Sequence, residues 1–330
     1  MANLPQVLVL GPPISFPFTQ SLCSHKFSFL NPNTSSLPLH QFLTADNRDP
    51  SSVRAILSCT TAPVTAKLLD LLPFVGLVLT TSVGLNHIDL AECHRRGIQI
   101  AGAGNLYSED VADMAVGLLI DVGSKISAAN RRIRYRDGFR SGAFQFPTGF
   151  KLRGKRVGIV GLGNIVSETA KRLEAFGCII SYTSKNKKPL VSYPFYQNIL
   201  ELASASDVLV LCCALNEQTR HMVNREVMMA LGREGIIVNI GRGSLIDEKE
   251  LVKSLVKREI GGAGLDVFEK EPHVPRELFE LDNVVFSPHA AVHTSESIMG
   301  VSELMAANMD AFFSSKPLLS PAGLYFHQPG

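Results

Sequence analysis

The sequence predicts a two-domain α/β protein whose larger part is a doubly wound parallel sheet. Three observations predict it. Residues 157–171, VGIVGLGNIVSETAK, put a short, fully apolar strand before a glycine turn and a helix. From Val157 onward, apolar runs of strand length recur in regular alternation with helical stretches, the pattern of βα units on a parallel sheet. Finally, 330 residues exceed what a single core usually serves, and residues 1–106 carry a strand and helix alternation of their own.

In chain order, residues 6–10, 55–57, 75–80 and 98–101 read as strands, with helices over 66–72 and 90–96. Residues 31–50, rich in Ser, Pro and Asn, read as a loop with one helical turn near 38–43. Thr80 to Asp89, TTSVGLNHID, follows a buried strand with a glycine-containing turn. Such a turn either offers backbone N–H groups to an anion or is a plain strand-to-helix loop. Ser108 opens a strongly apolar helix with a good N-cap and an acidic first turn, expected to be buried nearly all round. Arg131, Arg132, Arg134, Arg136 and Arg140 follow as a basic patch, read as a solvated face or subunit contact before a phosphate site. The larger domain then runs through strands at 157–160, 179–182, 208–212, 236–240, 264–267 and 284–287.

Composition excludes several classes of function. With 45% hydrophobic and 19% charged residues and a formal net charge of +2, neither disorder nor a nucleic-acid or membrane partner is expected. The six cysteines form no C-x-x-C, and Cys212 and Cys213 lie in an apolar run, as buried thiols of a reducing compartment do. No metal site or disulfide is expected. The N-terminus shows no targeting leader and no apolar run reaches about 18 residues, so a cytoplasmic protein is expected.

The strand, glycine turn and helix around Gly161 and Gly163 make a dinucleotide-binding hypothesis. The first glycine allows the turn, the second lets backbone approach a pyrophosphate, and the helix N-terminus attracts its charge. An ordinary βα turn is the alternative. The third small position of G-x-G-x-x-G is Val166, where a β-branched residue is expected to overpack and displace the first helical turn, the alternative being that small partners accommodate it as ordinary core. An acid is needed about 20 residues past the glycines to hold a ribose 2′-OH, yet that stretch reads Ser184, Lys185, Asn186. A hydroxyl, an ammonium and an amide suit a 2′-phosphate, so NADP is expected over NAD, with a basic surface loop as the alternative.

Ligands of such sheets bind beyond the carboxyl ends of the strands. There the sequence places Ile240-Gly241-Arg242, Asp266 with Glu271 downstream, and Ser287-Pro288-His289. A core histidine or a surface ion pair explains each singly. Three ionisable groups after consecutive strands point to a shared task.

These residues carry a resemblance. GLGNI, NIGRGSLIDEKELV, GLDVFEKEP and SPHAA, with TSVGLNHIDL and EDVAD, resemble the D-isomer-specific 2-hydroxyacid dehydrogenases over almost the whole chain, above all plant reductases of glyoxylate, hydroxypyruvate and hydroxyphenylpyruvate. The resemblance implies a doubly wound parallel Rossmann sheet over 107–290 and a second, smaller flavodoxin-like α/β domain made of 1–106 plus 291–330, which binds substrate. It also implies a homodimer formed by the helix from Ser108 and the arm over 131–150. His289 would be the general acid, Glu271 the carboxylate that keeps its imidazole protonated, and Arg242 the ligand of the substrate's carboxylate and carbonyl oxygen. Backbone amides of Val83 and Gly84 would also hold the carboxylate. Leu162, Gly163, Asn164 and Ile165 would meet the pyrophosphate, Ser184, Lys185 and Asn186 the 2′-phosphate, and Ile240, Gly241, Arg242 and Asp266 the nicotinamide half. The chain departs from the family pattern at Val166, at Gly102-Ala103-Gly104 and at Ala291-Val292.

The implied reaction is NADPH-dependent reduction of small 2-oxoacids, hydroxypyruvate and glyoxylate first. Hydride delivery to a ketone builds negative charge on oxygen, so a proton donor and a fixed cation are needed there. His289 and Arg242 would supply them. Hydroxyphenylpyruvate is the alternative substrate, and a nucleotide-sensing, corepressor-like binding protein is the alternative of another kind, disfavoured by the intact Arg242, Glu271 and His289.

Overall fold

In the computed structural model, described for residues 4–135 and 146–323, contacts divide the chain into two compact units. They are Met1–Tyr107 with His293–Gly330, and Ser108–Val292. The first unit holds five strands, β1 Gln6–Leu10, β2 Ser28–Leu30, β3 Val53–Ser58, β4 Leu77–Thr80 and β5 Gln99–Ala101. All pair in parallel in the order β2-β1-β3-β4-β5, the flavodoxin-like order. Its helices are α1 Phe16–Cys23, α2 Leu39–Thr44, α3 Ala66–Asp70 and α4 Leu90–Arg95. Thr65 caps α3 by accepting from the N–H of Leu68, and Asp89 caps α4 by accepting from Glu92. Leu8, Ile56, Leu69, Leu72 and Val78 form part of one core between sheet and helices.

The sequence reading missed two of these elements. β2 is a three-residue edge strand with no fully buried residue, so it lacks the apolar run that marks a strand. α1 carries its proline in the first turn, where the missing N–H breaks no helical bond and starts a helix rather than ending one.

The second unit begins with α5 Ser108–Ser124 and α6 Ile126–Tyr135. It continues as β6 Arg156–Val160, α7 Asn164–Ala175, β7 Ile179–Thr183, α8 Ile199–Ser204, β8 Val208–Leu211, α9 Arg225–Leu231, β9 Ile236–Asn239, α10 Glu248–Val256, β10 Gly262–Leu265 and β11 Val284–Phe286. The six strands pair in parallel in the order β11-β10-β9-β8-β6-β7. The order reverses at β6, so β6 and β8 flank the switch point where such sheets bind ligands. β8, β9 and β10 are buried throughout, which is why they read as apolar or small-residue runs, with Asn239 at the end of β9 the one polar member.

Two expectations are corrected here. β8 ends at Leu211, so Cys212 and Cys213 lie past the strand; each residue is partly exposed, but the thiol groups themselves are largely buried, as expected. α5 is not covered all round: Glu109, Asp113, Gly117 and Ser124 are exposed along one side, while Val111, Ala112, Ala115, Val116, Leu118 and Leu119 are buried. In the basic patch, Arg131 meets Asp282 at 2.8 Å and Arg134 meets Asn130 at 3.0 Å, while the Arg132 guanidinium lies 6.0 Å from the Phe146 ring. Arg136 and Arg140 lie outside the described residues.

The last helix, α11 Ser295–Phe313, returns to the first unit, where Ser302 donates to the carbonyl of Ser15 at 3.1 Å. Beyond it, Ala322 donates to the carbonyl of Ile100 at 2.8 Å, covering the otherwise open edge of β5. No helix of the described residues is long and apolar enough to cross a membrane.

Candidate active site

Three turns at the carboxyl end of the larger sheet carry Arg242, Glu271 and His289. After β9, the buried Asn239 accepts from the N–H of Gly241 at 3.1 Å and donates to the carbonyl of Arg242 at 3.0 Å. These two bonds set the turn that presents Arg242. Gly243 follows at an ordinary φ, but a Cβ there would lie 1.9 Å from the carbonyl carbon of Phe268. Close packing, rather than backbone conformation, requires that glycine.

Glu271 is held from two sides. One oxygen accepts from the backbone N–H of Phe268 at 3.0 Å, and the other meets Nδ1 of His289 at 2.8 Å. Burial pushes the Glu271 carboxyl up. The His289 bond, the Phe268 N–H and the charges of His289 and Arg242 outweigh it, so the group lies below its ordinary range. Glu271 is thus a carboxylate at neutral pH, and Nδ1 of His289 must carry the proton between them. Nε2 makes no hydrogen bond among the described residues, and the ring is 34% exposed.

His289 is a non-glycine residue at φ +56°. That conformation costs on the order of 1 kcal/mol, and buried Asp266 holds it. The carbonyl of Asp266 accepts from the N–H of His289 at 2.7 Å, and its side chain accepts from the N–H of Ala290 at 2.9 Å. Burial pulls the Arg242 guanidinium below its ordinary range, against the opposing pull of Glu271. A half-buried cation, a carboxylate and an imidazole thus sense one another at one sheet edge, as the sequence reading expects of these three residues.

At the glycine turn, Gly161 has φ +98° and a Cβ there would meet Cys213 at 3.0–3.1 Å. Both conformation and proximity demand glycine. Gly163 differs: its φ of −103° suits any residue, and an added Cβ would meet nothing within 4 Å. The chain itself does not need glycine there. A closely approaching group would, and no side chain caps the N-terminus of α7 that begins at Asn164. Leu162 and Ile165 are partly buried beside it. These features fit a pyrophosphate. Burial pushes the neighbouring thiols of Cys212 and Cys213 up to about 12 and about 11, so neither is a thiolate nucleophile at neutral pH.

Past β7, Ser184 donates to the carbonyl of Asn186 at 2.7 Å, while Lys185 and Asn186 are exposed. No carboxylate occurs between Glu174 and Glu201. In the smaller unit, the loop after β4 is held by the Tyr107 hydroxyl, which donates to the carbonyl of Thr81 at 2.9 Å, and by the N–H of Ala103, which donates to the carbonyl of Ser82 at 3.1 Å. The N–H groups of Val83 and Gly84 donate to nothing among the described residues. Sequence reasoning missed Asn239, the Phe268 N–H and the structural part of Asp266. Only Asn239 left a signal, an amide closing an otherwise apolar strand.

Comparison with known proteins agrees with this geometry. The family model for "D-isomer specific 2-hydroxyacid dehydrogenase, NAD binding domain" matches residues 116–291. A glyoxylate/hydroxypyruvate reductase of Arabidopsis thaliana is 53% identical over 97% of this chain and 98% of its own length. A hydroxyphenylpyruvate reductase of Plectranthus scutellarioides is 46% identical, covering 82% of this chain and 85% of that one. The crystal structure of an NADPH-dependent glyoxylate/hydroxypyruvate reductase from Sinorhizobium meliloti, in complex with NADP and malonate, superposes with a TM-score of 0.89 at 32% identity, over 99% of this chain and all of that one. The fold, the ionised Glu271 beside His289 and these relatives lead to one conclusion: the chain belongs to the D-isomer specific 2-hydroxyacid dehydrogenases.

Proposed function

We propose that the protein reduces small 2-oxoacids, glyoxylate and hydroxypyruvate first, to D-2-hydroxyacids with NADPH. The observation that carries this reading is the 2.8 Å contact between the ionised Glu271 and Nδ1 of His289, beside the half-buried Arg242. Bound NADPH supplies the hydride. Arg242 pairs with the substrate carboxylate and stabilises the charge that grows on the carbonyl oxygen. His289 gives its Nε2 proton to that oxygen, and Glu271, accepting at Nδ1, holds the ring and its protonated form. Asn239 and Asp266 keep the two turns in place. Val83 and Gly84 are assigned as backbone donors to the substrate carboxylate.

For the cofactor, we assign Leu162, Gly163, Asn164 and Ile165 to the pyrophosphate and Ser184, Lys185 and Asn186 to the 2′-phosphate. Ile240, Gly241, Arg242 and Asp266 are assigned to the nicotinamide half. The open space at Gly163 and the lack of an acid after β7 support this. A homodimer through α5 and the arm over 131–150, of which residues 136–145 lie outside the described residues, belongs to the same reading. Gly117 sits in the middle of a helix, where glycine costs about 1 kcal/mol relative to alanine. It is exposed, and an added Cβ would meet nothing within 4 Å among the described residues. Ile126 and Ile133 on α6 are 53% and 50% exposed. The six free cysteines suit a reducing, cytoplasmic setting. We assign residues 1–106 and 291–330 to substrate binding, a span that matches the smaller unit except that Ala291 and Val292 fall in the larger one and Tyr107 in the smaller.

The relative from Plectranthus scutellarioides supports hydroxyphenylpyruvate as a second substrate. A panel of glyoxylate, hydroxypyruvate and 4-hydroxyphenylpyruvate, each with NADPH and with NADH, tests the reading. Oxidation of NADPH by the small oxoacids is expected. A purified protein that binds NADPH and reduces none of them would instead favour a corepressor-like role.

A further inference from the structure

We propose that Tyr182 is a positioning residue for the choice of cofactor, its hydroxyl fixing the 184–188 loop in the shape that receives a 2′-phosphate. The inference rests on the NADPH reading above. Tyr182 lies in β7, is fully buried and is among the largest such side chains of the chain. Both of its backbone polar groups are bonded to the segment around Phe195, the N–H to the carbonyl of Pro194 and the carbonyl to the N–H of Tyr196, each at 2.9 Å, and β7 pairs with β6 alongside. Its ring lies 5.3 Å from that of Phe195. The residue is therefore a rigid post within the sheet.

A buried phenol needs a polar partner. Here the oxygen accepts from the backbone N–H of Lys188 at 2.9 Å, six residues further on. That bond closes the loop whose members Ser184, Lys185 and Asn186 are assigned to the phosphate. Inside the loop, Ser184 donates to the carbonyl of Asn186 at 2.7 Å, and Val191 donates to that of Lys188 at 3.3 Å. The side chains of residues 185–188 are exposed and add no packing of their own. The Tyr182 hydroxyl thus ties an exposed, basic loop to the buried sheet. A loop ordered in advance binds its ligand without the entropic cost of ordering it then. Only a cofactor with a 2′-phosphate draws fully on that order, because NADH presents a single neutral 2′-hydroxyl there and no phosphate for the loop to receive.

Tyr182→Phe removes the hydroxyl and keeps the ring. Expected is a fall of about three- to tenfold in kcat/KM for NADPH, the range of one hydrogen bond, carried by KM, with kcat/KM for NADH unchanged within twofold. Equal losses with both cofactors would mean that the hydroxyl serves only the fold, and no loss with either would mean that it serves nothing measurable here. Each overturns the inference. Should the Phe variant prove insoluble, Lys188→Pro deletes the donor from the exposed side, with Lys188→Ala as the control that keeps the N–H. A larger NADPH-specific loss in the Pro variant than in the Ala variant is then expected, and equal losses refute it. The unsubstituted protein separates the two readings: an NADH preference there rejects the cofactor assignment itself, whereas an NADPH preference untouched by Tyr182→Phe rejects only the part given to Tyr182.

Discussion

Replacing His289 by glutamine tests the centre of the mechanism, since glutamine has no ionisable proton for the carbonyl oxygen. General acid catalysis contributes about a hundred- to ten-thousandfold, equivalent to about 3 to 5 kcal/mol of barrier. The expected loss in kcat lies in that range, with the NADPH dissociation constant unchanged within about twofold. The fold should tolerate the change. Glu271 keeps the Phe268 N–H at 3.0 Å, and its side chain is 37% exposed, so water can replace the lost contact. Glu271→Gln removes a charge but leaves an acceptor for Nδ1. A charge-assisted bond exceeds a neutral one by about 1 to 2 kcal/mol before screening, so kcat should fall about five- to twentyfold. If Glu271 acts through His289, the double variant is no slower than His289→Gln alone. Stopped-flow single turnover with NADPH and glyoxylate measures all four proteins. A His289→Gln enzyme within threefold of the parent, or a double variant slower by the product of the single losses, would refute the reasoning.

Lys185→Ala should narrow the preference for NADPH over NADH by about ten- to a hundredfold, the worth of one charge-assisted contact. The ratio of kcat/KM values reports it, and a parent enzyme that prefers NADH contradicts the assignment outright. Gly117→Leu should leave the protomer folded, since the position is an exposed helix site with open space around it, and helix propensity alone favours leucine by nearly 1 kcal/mol. In sedimentation equilibrium it should shift the protein towards monomer, and a variant that associates like the parent removes the glycine from the interface argument.

How much of this molecule could be read from sequence depended on what a residue's neighbours along the chain reveal. The strands of the larger sheet showed as mainly apolar or small-residue runs, most plainly β8, β9 and β10, which are buried throughout and carry almost no polar alternation. β2 left no such trace. Its residues are only half-buried, and its identity as a strand comes from pairing with β1, a partner 22 residues away in register. The placement of Arg242, Glu271 and His289 was legible for a related reason: each follows a strand end, and a parallel sheet gathers those ends on one edge. The bonds that aim them were not legible. Besides its assigned place at the nicotinamide half, Asp266 takes the N–H of His289 on its carbonyl and that of Ala290 on its side chain, and nothing in local sequence specifies a bond spanning 23 or 24 residues.

Val166 shows most directly where sequence reasoning stops. Against a glycine expected by pattern, a valine implies either overpacking with a displaced helix and weakened cofactor binding, or small neighbours that take it in as core, and the local sequence does not choose. In the structure Val166 is fully buried, and the first turn of α7 is intact, with Ser167 donating to the carbonyl of Gly163 at 3.0 Å. The side chain packs as core on the face shared with Thr169, Ala170 and Leu173. α7 packs chiefly against α5, whose buried positions include Ala112 and Ala115, small residues that leave volume for a branched neighbour. Overpacking is therefore not the state of this helix, and a glycine would open a cavity rather than relieve strain. Val166→Gly should lower stability by about 2 to 4 kcal/mol, the sum of a lost buried side chain and the glycine penalty in a helix. NADPH affinity should not improve, since the N–H groups at the start of α7 are already in regular helical geometry. Denaturant unfolding and an NADPH titration on the same two proteins decide it: threefold tighter binding in the glycine variant would restore the view that valine strains the cofactor site.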